Sequence, residues 1–389
     1  KSPETRVFRM LPPAAPEPFK AAADAWPPEK ARAWQEKKGW LVGCNYTPAT
    51  AVNQLEMWQP ETFDPERIDL ELSWAKSLGF NSIRVFLHDL PYAADPRGFL
   101  DRIDRFLAIA DRHGIGVMLV FFDSCWDPQP QSGPQRPPRP HVHNSGWVQS
   151  PGREILGDES RHAELEAYVK AVIGRFKDDP RVHAWDLYNE PDASNRETYG
   201  DTELSDKATP ALALARKAVA WARAVEPSQP LTICVWQGDW SDPQRLPPLA
   251  RFSLANSDVV SFHNYGNQGS LQATIRHLRQ YGRPLLCTEY VARPFGSTFD
   301  PLLANLKEEG VGAYNWGFVA GKTQTNYPWD SWQKKYAGEP PLWFHDIFRT
   351  DGTPYRLSEV LYIRHVTGAK APQPASAGGR DDGLSAPQR

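Results

Sequence analysis

Eight apolar runs of five to eight residues recur along the chain, at 40–46, 82–87, 116–122, 182–188, 231–236, 259–263, 284–289 and 311–318. Runs that stay apolar at consecutive positions suit strands covered on both faces, the situation of a parallel sheet with helices outside it. Stretches of helical periodicity lie between most of them. Ile68, Leu72 and Ala75 share one face, Leu100, Ile103, Leu107 and Ala110 another, and Leu165, Val169, Val172 and Phe176 a third. Gly79-Phe80 and His113-Gly114 supply helix stops just ahead of the next run. Eight alternating units predict an α/β fold closed into a single (β/α)8 TIM barrel with long loops at the carboxyl ends of its strands. No glycine-rich phosphate loop follows an early run, which argues against an open, nucleotide-binding sheet.

At 389 residues the chain is long for one core, but barrels with elaborate loops reach that size as one domain. Residues 1–37, rich in proline and alanine, read as an N-terminal arm, 38–367 as the catalytic barrel, and 368–389 as a disordered tail without an apolar face. A net charge of -3 offers no basic surplus with which to neutralise a phosphate backbone, so nucleic acid is not expected as a partner. The longest apolar stretches fall short of the ~20 residues of a membrane span. Cys44, Cys125, Cys234 and Cys287 lie singly in or beside apolar runs, without metal-binding spacing, and are expected as buried thiols. No metal or other cofactor is implied. The chain opens on Lys1, from which we expect a processed upstream segment and a secreted or periplasmic location.

Two of the runs end on glutamates, in Trp185-Asp186-Leu187-Tyr188-Asn189-Glu190-Pro191 and Pro284-Leu285-Leu286-Cys287-Thr288-Glu289-Tyr290. In a barrel both fall at the active-site face. A carboxylic acid that donates a proton and a carboxylate that attacks are the two groups that cleavage of a glycosidic bond requires.

Asn189-Glu190-Pro191 after the fourth run and Glu289 at the end of the seventh resemble clan A retaining glycoside hydrolases, especially the cellulase-like family 5. Further positions agree: Arg84 in Ile83-Arg84-Val85-Phe86, His263 and Tyr265 in Phe262-His263-Asn264-Tyr265, and Trp316 in Asn315-Trp316-Gly317. The resemblance covers about residues 38 to 365. It implies Glu190 as acid/base, Glu289 as nucleophile, Arg84 beside the nucleophile, and Trp316 as the floor of a sugar subsite. The third-strand histidine usual in that family is missing, the place reading Phe121-Phe122-Asp123-Ser124-Cys125-Trp126, so that Asp123, His141 or His143 is expected to take over its contacts.

The chemistry of these residues supports the same roles. Arg84 and the Tyr265 phenol are expected to hold Glu289 ionised at a low pKa, whereas burial and the charge of Glu289 keep Glu190 protonated. Asn189 is placed to hold a sugar 2-hydroxyl. Indole faces stack on pyranose C–H faces, and Trp58, Trp126, Trp147, Trp240, Trp329 and Trp332 fall in presumed top-face loops. The loop after the third run, with proline-rich 127–140, and that after the eighth, with Lys322, Gln324 and Trp329, are expected to wall the sugar site and to favour a pocket over an open cleft. The expected activity is retaining hydrolysis of β-linked oligo- or polysaccharide. Alternatives are an endo-acting β-1,4-xylanase or cellulase, a non-catalytic carbohydrate-binding barrel, and a lyase or transglycosylase.

Overall fold

The structure, a computed structural model, describes residues 19–370. Each of the eight apolar runs contains a strand: β1 (Val42–Asn45), β2 (Ser82–Phe86), β3 (Gly116–Asp123), β4 (Val182–Asn189), β5 (Leu231–Thr232), β6 (Val260–His263), β7 (Leu285–Glu289) and β8 (Gly312–Asn315). All pairings are parallel, in the order β5-β4-β3-β2-β1-β8-β7-β6. The ends of that order meet through a bridge between Val235 and Phe262, where the Val235 N–H donates to the Ser261 carbonyl at 3.0 Å and the His263 N–H to the Val235 carbonyl at 3.2 Å. The sheet is therefore a closed barrel.

A helix follows every strand: Pro65–Ser77, Pro96–Arg112, Glu166–Phe176, Ala208–Val225, Pro248–Asn256, Gln268–Arg279, Phe299–Glu308 and Leu357–Thr367. Local chemistry fixes several of their ends. Asp64 and Asp95 accept from the N–H groups of Arg67 and Gly98, with a proline at the first helical position in each case. Gly79 and Gly114 end the first two helices at φ 78° and 70°, a backbone region that side chains with a Cβ rarely enter.

Side-chain alternation sorts β2 into two environments. Ile83 and Val85 enter the main core between sheet and helices, whereas Ser82, Arg84 and Phe86 face the barrel interior. At the amino end of the strands that interior is filled by Leu41, Met118, Ala184, Val259, Leu286 and Tyr314. Above them sits a polar layer around Arg84, and above that the two glutamates.

The segment read as an irregular arm contains a helix, Pro28–Lys38, which Pro28 starts in spite of the proline-rich surroundings. Its Trp34 packs against the apolar plug, and Trp26 is tied down by Asp258, which accepts from its N–H at 2.7 Å. The remainder of the expected arm and most of the expected tail lie outside the described residues. All four cysteines are free thiols; Cys44, Cys234 and Cys287 are buried and Cys125 is partly exposed.

The loops after β3 and β8 are laced together. The Asn144 N–H donates to the Thr323 carbonyl at 2.8 Å, the His143 N–H to Ser331 Oγ at 2.9 Å, and Trp332 Nε1 to the His143 carbonyl at 2.9 Å.

Candidate active site

Glu289 ends β7, and Glu190 is the first residue past β4. The turn there puts Glu190 at φ 40°, held by its N–H donating to Cys234 Sγ at 3.0 Å. Backbone strain of this kind persists only where surrounding contacts over-determine it, and it aims the carboxyl across the barrel mouth. His263 Nδ1 lies 2.7 Å from Glu190 Oε1 and 3.5 Å from Glu289 Oε2, and oxygen atoms of both glutamates and this nitrogen fall within 4.8 Å of one another.

The layer beneath is organised by Arg84. Its guanidinium is wholly buried, and all five of its N–H donors are used: two reach Asp186 Oδ2 at 2.8 and 3.0 Å, and the others reach Asn45 Oδ1 at 2.9 Å, Asn189 Oδ1 at 2.7 Å and Glu289 Oε1 at 3.1 Å. The Tyr265 hydroxyl donates to the other Glu289 oxygen at 2.7 Å. Asn189 is fixed at both ends of its amide, since its Nδ2 donates to Asp123 Oδ1 at 3.0 Å, while Trp147 Nε1 donates to Asp123 Oδ2 at 2.7 Å. Asp123 thus orients Asn189 from the position where the family resemblance places a histidine. Three groups converge closely enough to share a cation, but Arg84 already supplies the positive charge beside Glu289. The arrangement therefore reads as a proton-handling pair.

Burial pushes the Glu190 carboxyl up to about 8, and Asp123 adds to the rise while the Cys125 thiol and Arg84 oppose it. Burial also raises Glu289, to about 7, with Glu190 adding to the rise and His263, Arg84 and Tyr265 opposing it. The expectation that Arg84 and Tyr265 hold Glu289 at a low pKa is thus not met, because desolvation outweighs them. The order survives: Glu289 gives up its proton before Glu190. Desolvation lowers His263 to about 4, so its ring is neutral beside the pair.

A cavity of about 280 Å³ opens over the two glutamates. Asp123, Trp126, Asn189, Tyr265, Trp316 and Trp329 all line it, as the sequence reading expects, and Arg84 and His263 contact the glutamates from behind. Trp316 is held edge-on by Phe86 and Trp147, and Trp126 stacks on Trp332 with ring centroids 5.3 Å apart. Of the two histidines expected to replace the missing one, His143 reaches the cavity, whereas His141 stacks on Tyr327.

Other placements differ from expectation. Lys322 lies outside the cavity and pairs with Glu56 at 2.7 Å. Gln324 is also outside, its side chain accepting from the His141 N–H at 2.7 Å and donating to the carbonyls of Arg139 and Val142 at 2.7 and 3.3 Å. Trp58 is not a loop residue but a buried core residue in the helix Gln54–Trp58, and Trp240 is buried away from the cavity.

Several contacts were not anticipated. The Cys125 thiol donates to Glu190 Oε2 at 3.2 Å, and His345, Asn195 and Trp236 line the cavity. Asp186 left a sequence signal, a lone acid within an apolar strand. His345, which lies far along a loop, left none.

The cellulase family (glycosyl hydrolase family 5) matches residues 49–335. The chain is 30% identical over 102 residues to the probable mannan endo-1,4-beta-mannosidase F of Aspergillus flavus, a stretch covering 25% of this chain and 19% of that protein. It is 29% identical over 92 residues to the probable mannan endo-1,4-beta-mannosidase A-1 of Aspergillus terreus, covering 24% of this chain and 21% of that protein. The matched stretch thus spans about a fifth of the length of these curated relatives. Among solved structures, the exo-beta-1,4-mannosidase Op5Man5 from Opitutaceae bacterium strain TAV5 superposes with a TM-score of 0.59 at 18% identity, covering 93% of this chain and 62% of that one. A GH5_18 protein from Bifidobacterium longum, solved in complex with Manb1-4GlcNAc, gives 0.56 at 18% identity, covering 87% of this chain and 79% of that one. At such identities the two structures speak for the barrel fold alone. With a family match running from the loop after β1 to the loop after β8, and taking in both glutamates, the chain belongs to glycosyl hydrolase family 5.

Proposed function

We propose that the protein is a retaining glycoside hydrolase acting on β-1,4-linked sugars, with mannosides as the first class to test. The observation that carries this reading is the juxtaposition of Glu190 and Glu289 within one cavity. An oxygen of each carboxyl lies within 4.8 Å of one on the other, in keeping with the ~5–5.5 Å carboxyl separation of double displacement, where inverting pairs stand ~6.5–9.5 Å apart. Glu289 attacks the anomeric carbon as the Glu190 proton passes to the leaving oxygen, giving a glycosyl ester and a free alcohol. A water then enters, Glu190 takes its proton, and the ester bond breaks to release the sugar with its original configuration. Asn189, fixed by Arg84 and Asp123, binds the 2-hydroxyl, and Trp316 carries the ring. A transglycosylase would share the first half of this sequence and differ only in the acceptor.

The mannoside assignment draws on the names of the relatives. Glucan and xylan remain the rival substrates, and mannan-type polymers accord with a secreted or periplasmic enzyme. No helix among the described residues is long and apolar enough to cross a membrane. The test is hydrolysis of aryl β-mannoside, β-glucoside and β-xyloside and the matching β-1,4-trisaccharides, with the first-formed anomer followed by NMR. Initial release of the β-anomer, fastest from mannosides, is expected. Initial release of the α-anomer would discard the double displacement, and faster release from glucosides or xylosides would move the substrate class.

A further inference from the structure

On the glycosidase reading the transferred sugar sits against its nucleophile Glu289, which Tyr265 holds, and the cavity wall packed on Tyr265 begins with Trp329 and His345. That wall is built by the two laced loops and includes His143, Asn144, Trp329 and His345. The His345 ring lies 5.6 Å from that of Tyr265 and 5.3 Å from that of His143. His143 Nδ1 bonds the Tyr327 carbonyl at 2.8 Å, and His345 Nδ1 bonds the Val291 carbonyl. A carbonyl only accepts, so both rings carry their proton on Nδ1 and leave Nε2 as a lone-pair acceptor. Burial keeps both neutral, lowering His143 to about 4 and His345 well below its usual range. His345 Nε2 and Asn144 Oδ1 are buried and have no hydrogen-bond partner among the described residues. Residues lining the cavity thus carry buried acceptors without a matching protein donor, an arrangement that costs free energy unless a water or a bound molecule supplies O–H groups.

We propose that His143, Asn144 and His345 form the surface that reads the transferred sugar, each accepting from one of its hydroxyl groups. The inference rests on the glycosidase reading for its direction and adds the ligand chemistry: an uncharged, hydroxyl-bearing pyranose. A uronic acid brings an anion in place of a hydroxymethyl donor against these lone pairs and is rejected.

The test measures binding apart from turnover. In the Glu289→Gln background, calorimetry with β-1,4-mannobiose and its derivatives deoxygenated singly at the non-reducing sugar is expected to show at least one derivative bound roughly 10-fold more weakly than the parent, because it leaves a buried acceptor unpaired. His345→Phe should bind parent and derivative alike, whereas His345→Gln, which keeps an acceptor, should preserve the preference. A purely structural role would weaken both sugars equally and overturn the proposal. It is equally overturned if every derivative binds like the parent, or if mannobiose, cellobiose and xylobiose all fail to bind. Should His345→Phe not fold, His143→Phe repeats the test. Binding that discriminates between the sugars, in a protein whose wild type hydrolyses no glycoside, would support the wall and remove the glycosidase reading.

Discussion

Glu190 and Glu289 share one desolvated space, so their titrations belong to the pair, and the proposed mechanism requires the state in which Glu289 is ionised and Glu190 is not. With Glu289 raised to about 7 and Glu190 to about 8, kcat/KM should follow a narrow bell, falling on the acid side as Glu289 gains its proton and on the alkaline side as Glu190 loses its own. Glu190→Ala should remove the alkaline limb on an aryl glycoside with a good leaving group. The acid limb should persist, because Glu289 must still lose its proton in order to attack. Added azide should rescue this variant and give a β-glycosyl azide. Glu289→Gln should abolish turnover on every substrate with no rescue. An alkaline limb that persists in Glu190→Ala would reverse or remove the assigned roles.

At the scale of elements, the loops after β3 and β8 are fastened to each other as well as to the barrel. Gln324 is the clasp, bonding backbone groups at His141, Arg139 and Val142. Because water can replace part of these exposed bonds, Gln324→Ala should cost only about 1–2 kcal/mol. Its effect should be local: faster amide exchange across 139–147, and a several-fold loss in kcat/KM. Unchanged exchange there would show that the clasp contributes nothing. The strands, two helix stops and most of the site were legible because each obeys a short-range rule, such as an apolar run, a glycine just ahead of the next run, or a glutamate at a strand end. What escaped lacked such a rule. The helix Pro28–Lys38 is hidden by prolines that in fact start it. Trp58 belongs to a five-residue helix too short to show a period. Lys322 and Gln324 read as binding residues because loop position and polarity are shared by groups that touch sugar and by groups that fasten one loop to another. The Cys125 contact with Glu190 comes from the fold of the third loop, which no spacing reveals.

Across the whole molecule, the two ends of the barrel are finished differently. The amino end is stoppered by the helix Pro28–Lys38, whose Trp34 meets the apolar plug. Trp34→Ala should lower stability by about 1–3 kcal/mol, seen as a Tm lower by a few degrees, and leave kcat/KM unchanged at temperatures where the protein is folded. A loss of activity without a loss of stability would contradict that separation of roles. Closure around the circumference is uneven as well. β5 is two residues long, and the chain beyond it meets β6 through the bridge between Val235 and Phe262, while β3 and β4 pair along most of their length. Trp236, which lines the cavity, and Cys234, which accepts from the Glu190 N–H, stand on that sparsely bonded stave, whereas the loops that carry His143 and Trp332 are fastened to each other. If the proposed wall reads the sugar, such a barrel would be strict about one half of its substrate and tolerant of the other, with room to give where the departing group varies.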